Sequence, residues 1–352
     1  VILLEDYLAS FSQLCRRLQS VNSEAATSID SVPLVLEIPG FAQTKATGSD
    51  AQCVVLGLLV HGNEYGPLAA VVPWLTGIVS AFESAGQSPF ADTIVVFVAN
   101  ARAGLAGKRF IDADLNRLFA MSTESAGHEA KLVPALQGIL SRPELALFVD
   151  LHQTIEPTER AFFTFGYHEP SVRWARALAP GVADTLVTRA PGVAFVQGQL
   201  SSDEFVRNRG LPGITIELGQ KGFNKVTEER TDALLINLDA ALRHRFWRDN
   251  PSAMPQTPIR YLCTRHRIAF DGPLAELVPG LTNFTQCEAG QVLGSDHRGN
   301  ALVAPDAGYL LFPKYPERDA RNFAKFPLPA DIVNIAAELP DTEIRSWESA
   351  KS

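Results

Sequence analysis

Four short apolar runs, at residues 53–60, 93–99, 145–151 and 213–218, constrain this chain more than any other feature of its sequence. They are rich in β-branched side chains and show no alternation with polar residues, the pattern of strands buried on both faces. Helical patterns separate them at 67–84, at 129–140 and from about 227 to 247. Strand and helix alternating in this way predict an α/β fold whose mostly parallel or mixed sheet is covered by helices. In such sheets ligands bind outside the carboxyl ends of the strands.

The chain has 352 residues, enough for about two domains. Leu4, Leu8, Phe11, Leu14 and Leu18 recur at helical spacing, so 3–18 is expected to be an amphipathic helix within an N-terminal extension, 1–30. Pro251, Pro255 and Pro258 punctuate a candidate linker at 250–258. It would divide a catalytic domain, 31–250, from a smaller β-rich C-terminal domain, 258–352. That second region is broken by Asp271-Gly272, Ala289-Gly290, Arg298-Gly299-Asn300 and Ala307-Gly308, the chemistry of tight turns.

Charge narrows the partners. Lys and Arg total 31 against 39 Asp and Glu, a net charge of -8, which argues against nucleic acid or an anionic membrane surface. Residues 65–82 carry no charge and reach the length of a membrane span. The stretch contains Pro67, Pro73 and Gly77 and follows a polar turn, so a helix buried behind the sheet is expected there. Cys15, Cys53, Cys263 and Cys287 form no Cys-x-x-Cys pair, against a thiolate zinc knuckle or a dense disulfide framework and in favour of a reducing cytoplasm. Glu5 and Asp6 stand where a signal peptide needs basic residues. No glycine-rich phosphate loop appears, so no nucleotide cofactor is expected.

His61-Gly-Asn-Glu64 directly follows the first apolar run, where a strand-to-helix turn can aim both side chains at one ion. Catalytic zinc usually takes three protein ligands, often two His and one carboxylate, and keeps one position open. His152 ends the third run and supplies the third ligand; the competing reading is of two histidines hydrogen-bonded within a core. Tyr65 follows Glu64, so neither helical zincin motif is present and a general base must come from elsewhere. Glu217, at the end of the fourth run and before Gly219, is the candidate, unless it merely pairs with Lys221 or Lys225. Between residues 100 and 117 lie Arg102, Lys108, Arg109 and Arg117 in a chain that is acidic overall. Asn116 and Arg117 read as a carboxylate clamp, and Arg109 as a donor to a developing oxyanion. His128, His168, His244, His266 and His297 have no partner spacing and are expected at the surface or as caps.

These residues resemble the succinylglutamate desuccinylase and aspartoacylase family. The resemblance rests on His61-Gly-Asn-Glu64, the 109–117 run ending in Asp114-Leu-Asn116-Arg117, Asp150-Leu-His152 and Ile216-Glu217-Leu-Gly219, and it covers about residues 50 to 315. It implies a zinc carboxypeptidase-like mixed sheet with one zinc per chain on His61, Glu64 and His152. Glu217 would be the catalytic carboxylate, Arg109 would polarise the scissile carbonyl, and Asn116 and Arg117 would hold the substrate's α-carboxylate. Arg207, ten residues before Glu217, would be a second carboxylate contact. The implied activity is zinc-dependent hydrolysis of a small anionic N-acyl amino acid, first N2-succinylglutamate to succinate and glutamate. N-acetylaspartate or another N-acyl amino acid, a peptide carboxypeptidase, and a noncatalytic metal-binding scaffold are the alternatives; a homo-oligomer is compatible with all of them. Desuccinylases commonly follow Asp-Leu-His with Thr-Ala-Ile-Arg, whereas this chain has Gln153-Thr-Ile-Glu156, with Arg160 the nearest base to replace the missing one. The proline common after Asn100 is also absent.

Overall fold

The computed structural model describes residues 3–19, 33–41, 52–120, 127–243, 257–325 and 328–349. Its strands are β1 (Leu34–Ile38), β2 (Cys53–Leu58), β3 (Thr93–Val98), β4 (Leu145–Thr154), β5 (Ala161–Thr164), β6 (Ala183–Thr188), β7 (Gly213–Gln220), β8 (Arg260–Ala269), β9 (Glu276–Leu277), β10 (Gln286–Cys287), β11 (Val292–Ser295), β12 (Ala301–Val303), β13 (Gly308–Leu311) and β14 (Asp331–Glu338). The helices are α1 (Leu4–Gln19), α2 (Leu68–Ala85), α3 (Ala101–Leu105), α4 (His128–Leu140), α5 (Glu169–Leu178), α6 (Ser202–Arg207), α7 (Lys225–Arg243) and α8 (Asp341–Ser349).

The four apolar runs become β2, β3, β4 and β7, which lie side by side in the order β3-β2-β4-β7 and pair in parallel. Every residue of β2 and β3 is buried, as continuous apolar runs require. Period-two geometry divides them between two cores. Val54, Leu56 and Leu58 pack with α1, α2, α5 and α7 on one face, while Cys53 and Val55 pack with Leu132, Leu136 and Leu140 of α4 on the other. The sheet is mixed and extends to β1-β3-β2-β4-β7-β5-β6-β8-β14-β13-β10; β9, β11 and β12 form a separate three-stranded sheet.

Helix α1, in the expected N-terminal extension, packs on this body, with Leu4, Leu8, Phe11, Leu14 and Leu18 buried in the main core. The C-terminal β-rich region is joined to the catalytic body by the sheet itself, through parallel pairing of β6 with β8, although Phe270, Leu277, Leu293 and Ile335 give it a core of its own. Residues 250–256 of the expected linker, 20–30 of the expected extension, His244 and the end of the 227–247 helix lie outside the described residues. The uncharged stretch forms α2, long and apolar enough by composition to cross a membrane. Its Leu68, Val71, Leu75 and Val79 are instead buried against the sheet.

Candidate active site

Sheet register assembles the site. β4 and β7 place His152 opposite Glu217, so the two side chains emerge together at the carboxyl edge. Asp150 precedes His152 by two residues and therefore shares its face. β2 ends one strand away, and the chain turns through Leu59, whose φ of 51° is left-handed without being glycine, to reach His61. Gly62 is required at this turn: a Cβ there would sit 2.3 Å from Gly104 N, where α3 closes on the loop.

His61, Glu64 and His152 are all buried, and their ligand-type atoms lie within 4.8 Å of one another. His61 Nδ1 is 2.9 Å from Glu64 Oε1 and His152 Nδ1 is 2.7 Å from Glu64 Oε2. Each ring also has an aspartate behind it, with Asp114 Oδ1 at 3.0 Å from His61 Nε2 and Asp150 Oδ2 at 3.0 Å from His152 Nε2. Each Nδ1 thus faces the shared Glu64 carboxylate while an aspartate stands behind Nε2, the arrangement that orients a metal-ligating histidine. Hydrogen-bonding capacity is left unmet here: His61 Nδ1, Asp150 Oδ1 and Glu217 Oε2 are buried without a hydrogen-bond partner. Two imidazoles, a carboxylate and these orphaned atoms fit a small divalent cation of the zinc type.

Burial alone would raise the Glu64 carboxyl, yet the adjacent His61 and His152 hold it well below the usual carboxylate range. Against burial, Asp150 and Glu64 hold His152 well above the ordinary imidazole value. Burial pushes the Glu217 carboxyl up to about 8, and the charge of Glu64 adds to the rise. Glu217 forms no ion pair with Lys221 or Lys225, and Lys225 instead contacts Glu229 at 3.4 Å.

Arg109 joins this group. Its Nη1 donates to Glu64 Oε1 at 2.9 Å, and its Nη2 lies 2.7 Å from His61 Nε2 and 3.5 Å from Asp114 Oδ2. Asn116 and Arg117 follow on a short 3₁₀ turn capped by Asp114, which accepts from Asn116 N. Asn116 Oδ1 accepts from Ser202 N at 2.9 Å, and the Ser202 hydroxyl donates to Asp150 Oδ2. Arg117 Nη1 donates to Asn116 O at 2.7 Å, and its guanidinium lies over the Phe195 ring.

Arg207 is not brought into this group. Its guanidinium is bonded to Asp203, donates to Gly213 O at 2.9 Å and packs over Phe165, so it fastens α6 to the start of β7. Arg160 pairs with Asp184 at 3.0 Å and does not reach Glu156, whose carboxyl is pushed up by burial. His266 and His297 pair with Asp306 and Asp271 near the surface, as expected. His168 stands at the N-cap position of α5, buried beside Ser171 Oγ at 2.9 Å, while His128 departs from the expected surface or capping role and is buried with Nε2 beside Asn100 Oδ1 at 3.2 Å.

Two supporting residues escape a reading by motif. Gln153 accepts from Gly66 N and donates to Gln220 O, Gly222 O and Thr227 Oγ1, tying the His61–Glu64 turn to the end of β7. Glu129, fully buried, accepts backbone N–H groups from Ile111, Asp112 and Ala113 and the Asn100 amide. Nothing in a single-sequence pattern distinguishes either from a solvated polar residue. For Asp114 and Asp150 a signal did exist, an acid two positions before a strand-terminal His and another within the cationic run.

Residues 53–245 match the succinylglutamate desuccinylase/aspartoacylase catalytic domain. The chain belongs to this family. Among relatives of the family, a succinylglutamate desuccinylase of Vibrio cholerae is 24% identical over 287 residues, covering 77% of this chain and 78% of that protein. One from Pseudomonas aeruginosa is 25% identical over 277 residues, covering 74% and 79%. A structure of succinylglutamate desuccinylase from Vibrio parahaemolyticus superposes with a TM-score of 0.64 at 18% identity, over 87% of this chain and 86% of that one. Murine aminoacylase 3 gives 0.57 at 16% identity, over 83% and 97%. These structural likenesses show that the desuccinylase/aspartoacylase fold is shared.

Proposed function

We propose that this member of the desuccinylase/aspartoacylase family is a zinc-dependent amidohydrolase that removes an acyl group from the α-nitrogen of an acidic amino acid, with N2-succinylglutamate as its first substrate. The observation that carries the reading is the convergence of His61, Glu64 and His152 beside a Glu217 carboxylate whose Oε2 is buried and unpartnered. His61, Glu64 and His152 would hold the zinc ion, which would supply Lewis acidity and make water at the site easier to deprotonate.

The chain's own groups do the rest. Glu217 accepts the proton of the attacking water and returns it to the leaving nitrogen. Arg109, fixed by Glu64 and Asp114, donates to the carbonyl oxygen as negative charge develops on it. Asn116 and Arg117 orient the α-carboxylate. Asp114 and Asp150 hold the imidazoles in orientation, the role of carboxylates behind ligating histidines.

The test is to incubate the zinc-loaded protein with a panel of N-acyl amino acids and short peptides and to score free amine. Release from N2-succinylglutamate above the rest supports the reading. Preference for N-acetylaspartate would move the assignment within the family, and turnover of peptides alone would replace it by a carboxypeptidase.

A further inference from the structure

Arg117 is sparsely partnered for a buried cation. Among the described residues its guanidinium makes one hydrogen bond, to Asn116 O, and no ion pair. Burial, together with Arg109 and Arg267, lowers its pKa. What holds it is an aromatic ring. The guanidinium carbons of Arg117, Arg189 and Arg267 lie 4.6, 4.9 and 4.9 Å from the centroid of Phe195, so one phenyl ring gathers three cations that would otherwise repel one another.

Phe195 is itself held at both ends of its backbone. Its N–H donates to Glu204 Oε1 at 2.7 Å, and its carbonyl accepts from Arg267 Nη1 at 2.7 Å. Glu204 is fixed in turn by the capping box that starts α6 and by Arg189. Arg267, on β8, is anchored by Asp331 at 2.8 Å, the carboxylate that also binds Lys314. The loop between β6 and α6 and the C-terminal β-rich region thus meet on this ring, directly beneath Arg117.

We propose that Phe195 is a positioning residue for substrate selection: its ring fixes the Arg117 guanidinium so that its remaining donors face the substrate's carboxylate as a preformed fork. The inference rests on the carboxylate-binding role proposed for Arg117. It adds that affinity for the carboxylate depends on an aromatic face supplied by the 189–201 loop and braced from β8. A preformed guanidinium loses less conformational freedom on binding than a mobile one.

The experiment compares Phe195→Leu and Phe195→Trp in the zinc-loaded full chain. Leucine keeps apolar packing but offers no π face, while tryptophan keeps the face. Calorimetric binding of L-glutamate and of its α-amide is measured, together with the 15N–1H signal of Arg117 Nε, assigned by its loss in Arg117→Lys. Phe195→Leu should weaken glutamate binding about 5- to 20-fold, the scale of one partly desolvated cation–π contact, and should broaden or average the Arg117 signal. Binding of the α-amide should hardly change, and Phe195→Trp should keep both affinity and signal. In catalysis the loss should appear in KM rather than kcat.

In an Arg117→Ala background the leucine substitution should cost nothing further; an equal cost there would overturn the proposal. So would a leucine variant that matches tryptophan in affinity and in the Arg117 signal. Should wild type bind no glutamate while the Arg117 signal still depends on the aromatic ring, the positioning contact stands and the functional reading falls.

Discussion

Glu217 and Arg117 are where single atoms separate chemistry from binding. Glu217→Gln preserves shape but cannot accept a proton, so kcat should fall about 100- to 10,000-fold while metal content and product affinity are retained. Near-normal turnover would remove Glu217 from the reaction. Arg117→Ala leaves a carboxylate without its bidentate partner, a loss of about 2–5 kcal/mol in kcat/KM by analogy with truncating one side of a buried charge pair. The control is a substrate amidated at its α-carboxylate, on which wild type should act poorly and the variant should lose little more; equal losses on acid and amide would end the clamp assignment. His61, Glu64, His152 and Glu217 were legible because each ends or follows an apolar run. The contacts of Arg207 were not legible, because spacing along the chain reports neither that α6 turns its side chain toward Asp203 nor that Gly213 O is there to receive it.

At the scale of elements, the site depends on the 109–117 loop, which contributes no strand and has no core of its own. Glu129, near the start of α4, holds that loop through three backbone N–H groups. Burial would raise its carboxyl, but those donors and Asn100 keep it below the usual value. A carboxylate lowered in the folded state stabilises above its unfolded pKa and loses that contribution as pH falls through the folded one. Glu129→Gln should therefore cost about 1.5–3 kcal/mol near neutrality, the worth of hydrogen bonds to a charged group. Denaturant unfolding should show the gap to wild type shrinking below about pH 4.5, where the unfolded carboxyl protonates. A gap that is constant or widens on acidification would contradict this. Strands β2, β3, β4 and β7 and helices α1, α2, α4 and α7 were legible to within a few residues because period and continuity of apolar residues are local properties, whereas β1, β5, β6 and α5 were not read from the sequence. Nor were the contacts of Glu129 and Gln153, since they join segments 16 to 89 residues apart.

In the whole molecule, the eleven-stranded sheet is what couples the parts: β4 and β7 carry His152 and Glu217, and β8, from the C-terminal region, carries Arg267, whose guanidinium meets the Phe195 ring beside Arg117. Alternation of strands and helices announced the central α/β layer and its carboxyl-edge site. The continuation of the sheet through β8, and the cations it delivers beside Arg117, follow from strand order, which one sequence does not encode locally. On the proposed reading, this architecture positions one metal ion for amide hydrolysis. That reading is tested most directly by stripping the protein with a chelator and titrating zinc back while measuring both bound metal and amine released from N2-succinylglutamate. Activity should be lost on stripping and return in proportion to zinc up to one equivalent per chain, with His152→Ala recovering neither metal nor turnover. Full activity in the metal-free protein, or normal zinc binding by His152→Ala, would contradict the account.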